Sequence, residues 1–256
     1  MEDEQGSSGK ASSWRSYLSA QIAANSWAEL ELLLLTFNIG IQDTTTYPDY
    51  RCFTSNQTGN TVMLAVAVIK NAHTADLVIP ANIGVSLPCF IAGALITGQL
   101  GNHVFGTLTR AWVIAINFLQ TAFVFAAAGI QLGYGVRQEG PIALTVIALL
   151  AFSSGSQVVM SRALKIPEIT TAMATAAWLD LVVDPRLTAS KNRSRNRRAF
   201  FLLALVAGSF SGAGIYLVAG SALALILSGG IKALVTAMLF FNPPTGVNTG
   251  GGMDSA

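Results

Sequence analysis

What most constrains this chain is a recurrence. Uncharged, apolar stretches of about 20 residues follow one another from residue 28 to residue 241, each long enough to cross a hydrocarbon core of roughly 30 Å. A water-soluble fold covers its surface with charge, and this chain cannot: 11% of its residues are charged, against about 25% in an ordinary soluble domain. The expectation is an all-α integral membrane protein, because a helix satisfies its own backbone polar groups where no water reaches. Soluble enzymes are excluded as a class, and the lipid bilayer is the first partner implied.

Apolar runs between breakers predict spans near 28–46, 53–69, 81–105, 111–132, 142–160, 168–183, 199–219 and 222–241. That is eight, or seven if Gly229, Gly230 and Lys232 interrupt the last. The membrane domain then covers 28–241, with a polar cytoplasmic leader at 1–27 and a flexible tail at 242–256. Trp14, Tyr17, Leu18 and Ile22 fall near helical spacing in the leader, which fits a short helix at the membrane surface or plain disorder. With eight spans, Lys10, Arg15, Lys70, Arg137 and the six basic residues from Arg186 to Arg198 share one side. Arg51, Arg110, Arg162 and Lys165 take the other. Positive loops favour the cytoplasm, so both termini are expected inside, with the plasma membrane as the default location.

Coincidences recur at an offset of 115 residues: Gly40 with Gly155, Gln42 with Gln157, Leu64 with Leu179, and Ala92-Gly93 with Ala207-Gly208. Halves at 28–132 and 142–241 would each hold four spans. An even number of crossings inserts both halves the same way, so the expectation is a parallel internal repeat, with a ligand site between the halves.

Polar residues inside spans usually face protein or water, since a charge at a helix centre costs roughly 2.5–3.5 kcal/mol on insertion scales. They cluster at two places. Asn38, Gln42 and Asp43 end span one, and Asn56, Thr58, Gly59 and Asn60 open span two. Ser153, Ser154 and Gln157 end span five, and Glu168 and Thr171 open span six. The eight-span model puts both sets in the outer third of the membrane, in one shared pocket. Gly59 would let the backbone unwind to coordinate an ion or polar solute, and Asp43 and Glu168 are the acids expected to couple protons or cations. Hydrogen bonding between helices is the plainer alternative for the amides and hydroxyls, including Asn117 and Gln120. Asp180 and Asp184 are expected to pair with Arg197 or Arg198. Cys52, Cys89, His73 and His103 make no metal or disulfide pattern, and no cofactor or nucleic-acid partner is implied.

These residues resemble a known family. The segments Gly40 to Asp43 (GIQD), Thr58 to Thr61 (TGNT), Ser154 to Gln157 (SGSQ), Glu168 to Thr171 (EITT) and Asn196 to Arg198 (NRR) are similar to those of the YoaK-like multispanning membrane proteins, the domain of unknown function 1275. The Asn/Arg-rich loop looks closest to fungal members. Tyr47 to Phe53 depart from the family pattern, where small apolar residues are expected. The resemblance implies a membrane protein without an assigned activity. The expected function is a secondary transporter or permease for a small polar or anionic solute, with proton coupling. The alternative is a non-transporting structural, regulatory or lipid-interacting protein. An enzyme is not expected: no paired histidines, paired aspartates or serine with a base lie within the spans.

Overall fold

The computed structural model of the chain describes residues 14–69 and 78–243. Among them, regular structure is helical apart from one bridge between Gln21 and Thr109. A short helix, α1 (14–19), is followed by α2 (Ser26–Tyr50), α3 (Gln57–Ile69) and α4 (Pro80–Leu100), which continues through a wider π turn at Gly101–Phe105. Next come α5 (Arg110–Tyr134), α6 (Pro141–Ala163), α7 (Ala174–Val182) and α8 (Arg193–Phe241).

Local chemistry sets these boundaries. Asn25, Thr109 and Asn192 cap α2, α5 and α8 by accepting from the backbone N–H groups of Ala28, Trp112 and Arg195, at 3.0, 3.4 and 3.0 Å. Pro80 and Pro141 open α4 and α6, where a missing N–H costs nothing. Gly220, at φ 79° and ψ 172°, takes a conformation essentially reserved for glycine. It breaks α8 into two helices, 193–219 and 221–241, and the second folds back along the first. Glu29 meets Arg193 and Arg197, and Asp49 accepts from Tyr216, so 193–219 runs beside α2 in the same direction. Gln42 bonds Ser228 and Glu31 bonds Asn242, so 221–241 runs against it.

Four helices, α4 with its π turn, α5, α6 and α8, are long and apolar enough to cross a membrane. α2 has the length, at 25 residues, but carries Glu29, Glu31, Asp43 and Asp49. The 13 residues of α3 and the 9 of α7 reach only about 20 and 13.5 Å at 1.5 Å per residue. Both fall short of a 30 Å core.

The connections agree with those lengths. Asn25 bonds Asn242, so both ends of the described bundle share one face, here the terminal face. At the opposite, far face Asn82 donates to the Tyr50 carbonyl at 2.7 Å and to that of Gln138 at 2.8 Å. The chain therefore leaves α2 and enters α4 at the same face. On the terminal face Glu168, just past α6, accepts from Ser194 at the start of α8, at 2.7 Å. The expected crossings at 53–69 and 168–183 are thus corrected to short helices that return to the side they came from. The last two expected spans, 199–219 and 222–241, match the two parts of α8 on either side of Gly220, and the second is continuous through Gly229, Gly230 and Lys232. The parallel repeat loses its basis, because it required four crossings in each half. The leader helix is present as α1, with Tyr17 donating to the Phe240 carbonyl and Arg110 stacked 4.0 Å over its ring. Most of the expected C-terminal tail lies outside the described residues.

Glycines hold the long helices together. A Cβ on Gly40 would lie 2.6 Å from the Leu205 carbonyl oxygen, and one on Gly208 would collide with that of Phe37. The same contacts recur 115 residues along, where Gly155 meets the Phe90 carbonyl and Gly93 that of Phe152. Apolar clusters close the two ends, around Leu35, Trp112, Met160 and Phe201 at the terminal face and Tyr50, Val124, Leu150 and Leu225 at the far face.

Adding one methyl at these contacts forces helices apart. Gly93→Ala and Gly208→Ala should each cost about 1–3 kcal/mol by overpacking. Gly84→Ala and Gly214→Ala, where nothing lies within 4 Å, should be neutral or stabilise by up to about 1 kcal/mol through helix propensity. Thermal unfolding in detergent distinguishes the two pairs.

Candidate functional site

The polar residues expected to share one pocket lie in three places. Near the far face, Asp43 accepts from the Ser55 N–H at 3.2 Å and its hydroxyl at 2.5 Å. Asn60 is buried there and ties the same loop down, accepting from the Phe53 N–H at 2.9 Å and donating to its carbonyl at 2.7 Å. Gln57 and Ser86 complete this network at 2.8 and 3.2 Å from the Asn60 amide. Asn56 caps α3 by accepting from the Gly59 N–H at 3.1 Å. Gly59 is therefore part of a regular helix, not an unwound segment, and Thr58 is exposed.

Glu168 and Thr171 sit at the terminal face. Glu168 is bound by Ser194 and by Arg197 at 3.4 Å, and the buried Thr171 hydroxyl reaches Ser161 at 3.5 Å. The shared outer pocket is thus corrected: a bundle whose second and sixth segments do not cross puts these two clusters on opposite faces. Arg197 also holds Glu29 at 2.7 Å, and Arg198 pairs with Asp184 at 3.5 Å and Asp180 at 3.8 Å, the partner expected from the sequence. The Arg186 N–H, 2.8 Å from Asp184, holds that carboxyl below the usual carboxylate range.

Gln157 and Gln42 belong to a third cluster, roughly half-way along the bundle, where α2, α5, α6 and the second part of α8 meet. Its centre is Lys232, fully buried. The Lys232 ammonium donates to the Gln157 side-chain oxygen at 2.5 Å and to that of Gln120 at 2.9 Å. No ion pair among the described residues includes it. Gln157 donates in turn to the Leu35 carbonyl, Ser153 to the Gln120 carbonyl, and Gln42 to Ser228. Asn117 donates to the Lys232 carbonyl at 3.0 Å and to Thr236 at 2.8 Å.

The cluster is rich in unused capacity. Both amide atoms of Asn38, the oxygens of Gln42 and Asn117, the nitrogen of Gln120 and the Ser154 hydroxyl are buried without a hydrogen-bond partner among the described residues. Each such atom costs about 1–3 kcal/mol, and an ammonium taken out of water without a counter-charge costs several more. The arrangement can bind an anion or a polar solute, or take up and release a proton at the amine. Lys232 went unrecognised in the sequence, read there as an interruption of the last span; a lone cation in an otherwise apolar run was the available signal. Asn117 and Gln120 were read as inter-helix hydrogen-bonding groups, and they are.

Beside this cluster a groove of about 1050 Å³ opens between α5, the second part of α8 and Trp14 and Tyr17 of α1. Its walls are mainly aromatic and alanine side chains, with Thr121 and Thr236 as polar members. Among the described residues, no group of three or more metal-ligating side chains occurs.

A family model described as protein of unknown function (DUF1275) matches residues 32–238. The chain belongs to this family. No curated protein and no solved structure matches it. The matched segment takes in both face clusters and the Lys232 cluster.

Removing the Asn60 amide isolates the role of the far-face network. Asn60→Ala should destabilise the protein by about 1–3 kcal/mol, because the Phe53 N–H is left unpaired while its carbonyl keeps Ser86. Thr61→Ala, on an exposed hydroxyl bonded only within its own helix, should stay within about 0.5 kcal/mol. Thermal unfolding measures both.

Proposed function

We propose that this protein is a secondary transporter or permease for a small polar or anionic solute, coupled to protons, with its site at Lys232. The observation that carries this reading is the buried, uncompensated ammonium half-way along the bundle, ringed by amides with spare capacity. Intramembrane charges of this kind mark ligand and proton pathways. The non-transporting alternative expects Asp43, Asn60, Gln157 and Glu168 to be satisfied between helices, and each of them has partners; the transport reading rests instead on Lys232 and on the unpartnered atoms of Asn38, Gln42 and Gln120.

The proposal includes a duplication of inverted halves. α2, α4 and α5 are read as the crossings of the first half, and α6 and the two parts of α8 as those of the second. Support comes from the helix–helix contacts repeated at 115 residues, and from direction. α2 runs from the terminal to the far face, while its counterpart α6, which follows Gln138, runs back. Three crossings per half reverse the second half, and the relating axis lies across the bundle. Binding sites of inverted-repeat transporters lie near the midplane between the halves. Gln42 and Gln157, the first amides noticed at this offset, both belong to the Lys232 cluster.

Six crossings also regroup the basic residues. Arg15, Arg110, Arg162, Lys165 and the six from Arg186 to Arg198 fall at the terminal face, against Arg51 and Arg137 at the far face. That asymmetry supports cytoplasmic termini, and the plasma membrane is the location proposed.

Topology can be read with a membrane-impermeant thiol reagent in a background lacking Cys52 and Cys89. Lys165→Cys and Arg193→Cys should label from one side and Arg137→Cys from the other; eight crossings would put positions 165 and 193 on opposite sides. For function, proteoliposomes under a proton gradient should show solute-dependent proton flux with at least one member of a panel of small anions and polar solutes. Lys232→Met should abolish it while changing stability by no more than about 1–3 kcal/mol, because relief of the buried charge offsets the Gln120 and Gln157 oxygens left unpaired. Absence of flux from folded protein with every solute would favour the non-transporting reading.

A further inference from the structure

The loop between α7 and α8 carries more basic groups than the fold itself uses. Part of the loop is built in. The Arg195 guanidinium donates to the Leu187 carbonyl at 2.5 Å and to that of Ala189 at 2.8 Å, and the Asn192 amide donates to Asp184 and to the Arg186 carbonyl, each at 3.1 Å. With Arg198 held by Asp180 and Asp184, these bonds give the loop a fixed shape. Three further cations, Lys191, Arg193 and Arg197, line a pocket of about 490 Å³ on the terminal face, together with Asn196, Phe200 and a single carboxylate, Glu29. Donors are left over there. The Lys191 ammonium makes no ion pair or hydrogen bond among the described residues. Arg193, its side chain 62% exposed, engages only Nη2, on Glu29. The Nε of Arg197 is buried without a partner, and Asn196 uses its side-chain oxygen, on Arg195, leaving its amide N–H groups unengaged. Arg193 and Arg197 both donate to the same oxygen of Glu29, at 2.6 and 2.7 Å, so two guanidinium groups share one acceptor atom.

We infer that this pocket binds the headgroup of an anionic phospholipid with a terminal phosphate, at a site separate from the Lys232 cluster. The charge supports a phosphate monoester. Lys191, Arg193 and Arg197 against Glu29 leave two positive charges in the lining, and a monoester carries about −1.5 to −2 at pH 7. Glu168 meets Arg197 at 3.4 Å from outside that lining. Guanidinium forks and a rotatable ammonium suit phosphate oxygens, the first by paired hydrogen bonds and the second as a compact charge. The source is a lipid because the pocket has an apolar wall that leads away from its charges. Phe200 stands seven residues past Arg193 on α8, two turns or about 10.5 Å further into the bundle at 1.5 Å per residue. It is exposed, as is Leu203 on the next turn. A phosphate held by the cations places its acyl chains along these side chains, on the surface that meets the bilayer. Basic pockets at the ends of membrane helices hold phosphorylated headgroups in this way.

The test is equilibrium binding to the purified full chain in detergent, using dioleoyl phosphatidic acid labelled on an acyl chain, with dioleoyl phosphatidylglycerol as the singly charged diester. Wild type should bind phosphatidic acid about tenfold more tightly than the diester, a factor corresponding to about 1.4 kcal/mol. Lys191→Gln and Arg193→Gln, at exposed positions, should each weaken phosphatidic acid about fivefold, the factor for roughly 1 kcal/mol per basic residue at a membrane surface. Lys165→Gln removes an exposed charge from the same face but outside the pocket, and should leave binding unchanged. Glu29→Gln should tighten binding, because the carboxylate competes with the phosphate for Arg193 and Arg197; unchanged or weaker binding would make Glu29 a tie between α2 and α8 and count against the site. Equal affinity for the two lipids, or a loss in Lys165→Gln matching that in Lys191→Gln, would overturn the inference and reduce the loop to a diffuse positive surface. Displacement of the lipid by glycerol 3-phosphate at the same concentration would overturn the lipid assignment in favour of a soluble phosphate compound. None of these readouts involves proton flux or Lys232, so the transport reading stands or falls apart from them.

Discussion

The rest of the bundle depends on backbone-to-backbone contact at four glycines. Where Gly208 lies on the Phe37 carbonyl and Gly93 on that of Phe152, no side chain separates the helices. In lipid, such contact supplies the dispersion attraction that apolar side chains cannot, since acyl chains are as apolar as leucine. It pairs α2 with the first part of α8, and α4 with α6. α5 and the second part of α8 then close over the seam, and the polar centre forms where they meet α2 and α6. Asn38 and Gln42 flank Gly40, and Ser154, Ser156 and Gln157 flank Gly155. The residues that bring the helices together are therefore the ones that place the amides.

The far-face network of Asp43, Ser55 and Asn60 is satisfied, and so is most of the ion-pair set of Glu29, Glu168, Arg197 and Arg198 on the terminal face. These groups fasten the short helices α3 and α7 to the bundle and hold its ends. Unpartnered buried atoms occur at the ends as well, on Glu31, Arg110 and Arg197 at the terminal face and on Thr54, Asn82, Gln131 and Ser221 toward the far face, so what sets the centre apart is its ammonium without a counter-charge.

Much of this was legible in the chain. The apolar runs marked each long helix to within a few residues, and the 115-residue coincidence at Gly40, Gln42, Gly93 and their partners picked out helix contacts and two members of the polar centre. The runs at 53–69 and 168–183 misled. Hydropathy registers how apolar a segment is and not how far its helix runs: α3 and α7 expose Val62, Val68, Ile69, Trp178, Leu179 and Val182, yet neither is long enough to span the core. Counting them as crossings set the parity of each expected half, on which the expected parallel repeat and the expected side of Arg110, Arg162 and Lys165 rested. It also made Asp43 and Glu168 neighbours, when each belongs to a different face.

By itself the sequence determined the class, the long helices and their caps, because apolar length and the residues that end a helix are local properties. The family assignment came from the sequence as well. Tertiary structure alone decided which apolar segments reach both faces and that Lys232 stands among Gln120 and Gln157 without an acid. Those facts depend on contacts between residues far apart in the chain, 32 positions for Tyr50 and Asn82 and 75 for Lys232 and Gln157. A lone lysine in an apolar run carries no local sign of what will face it.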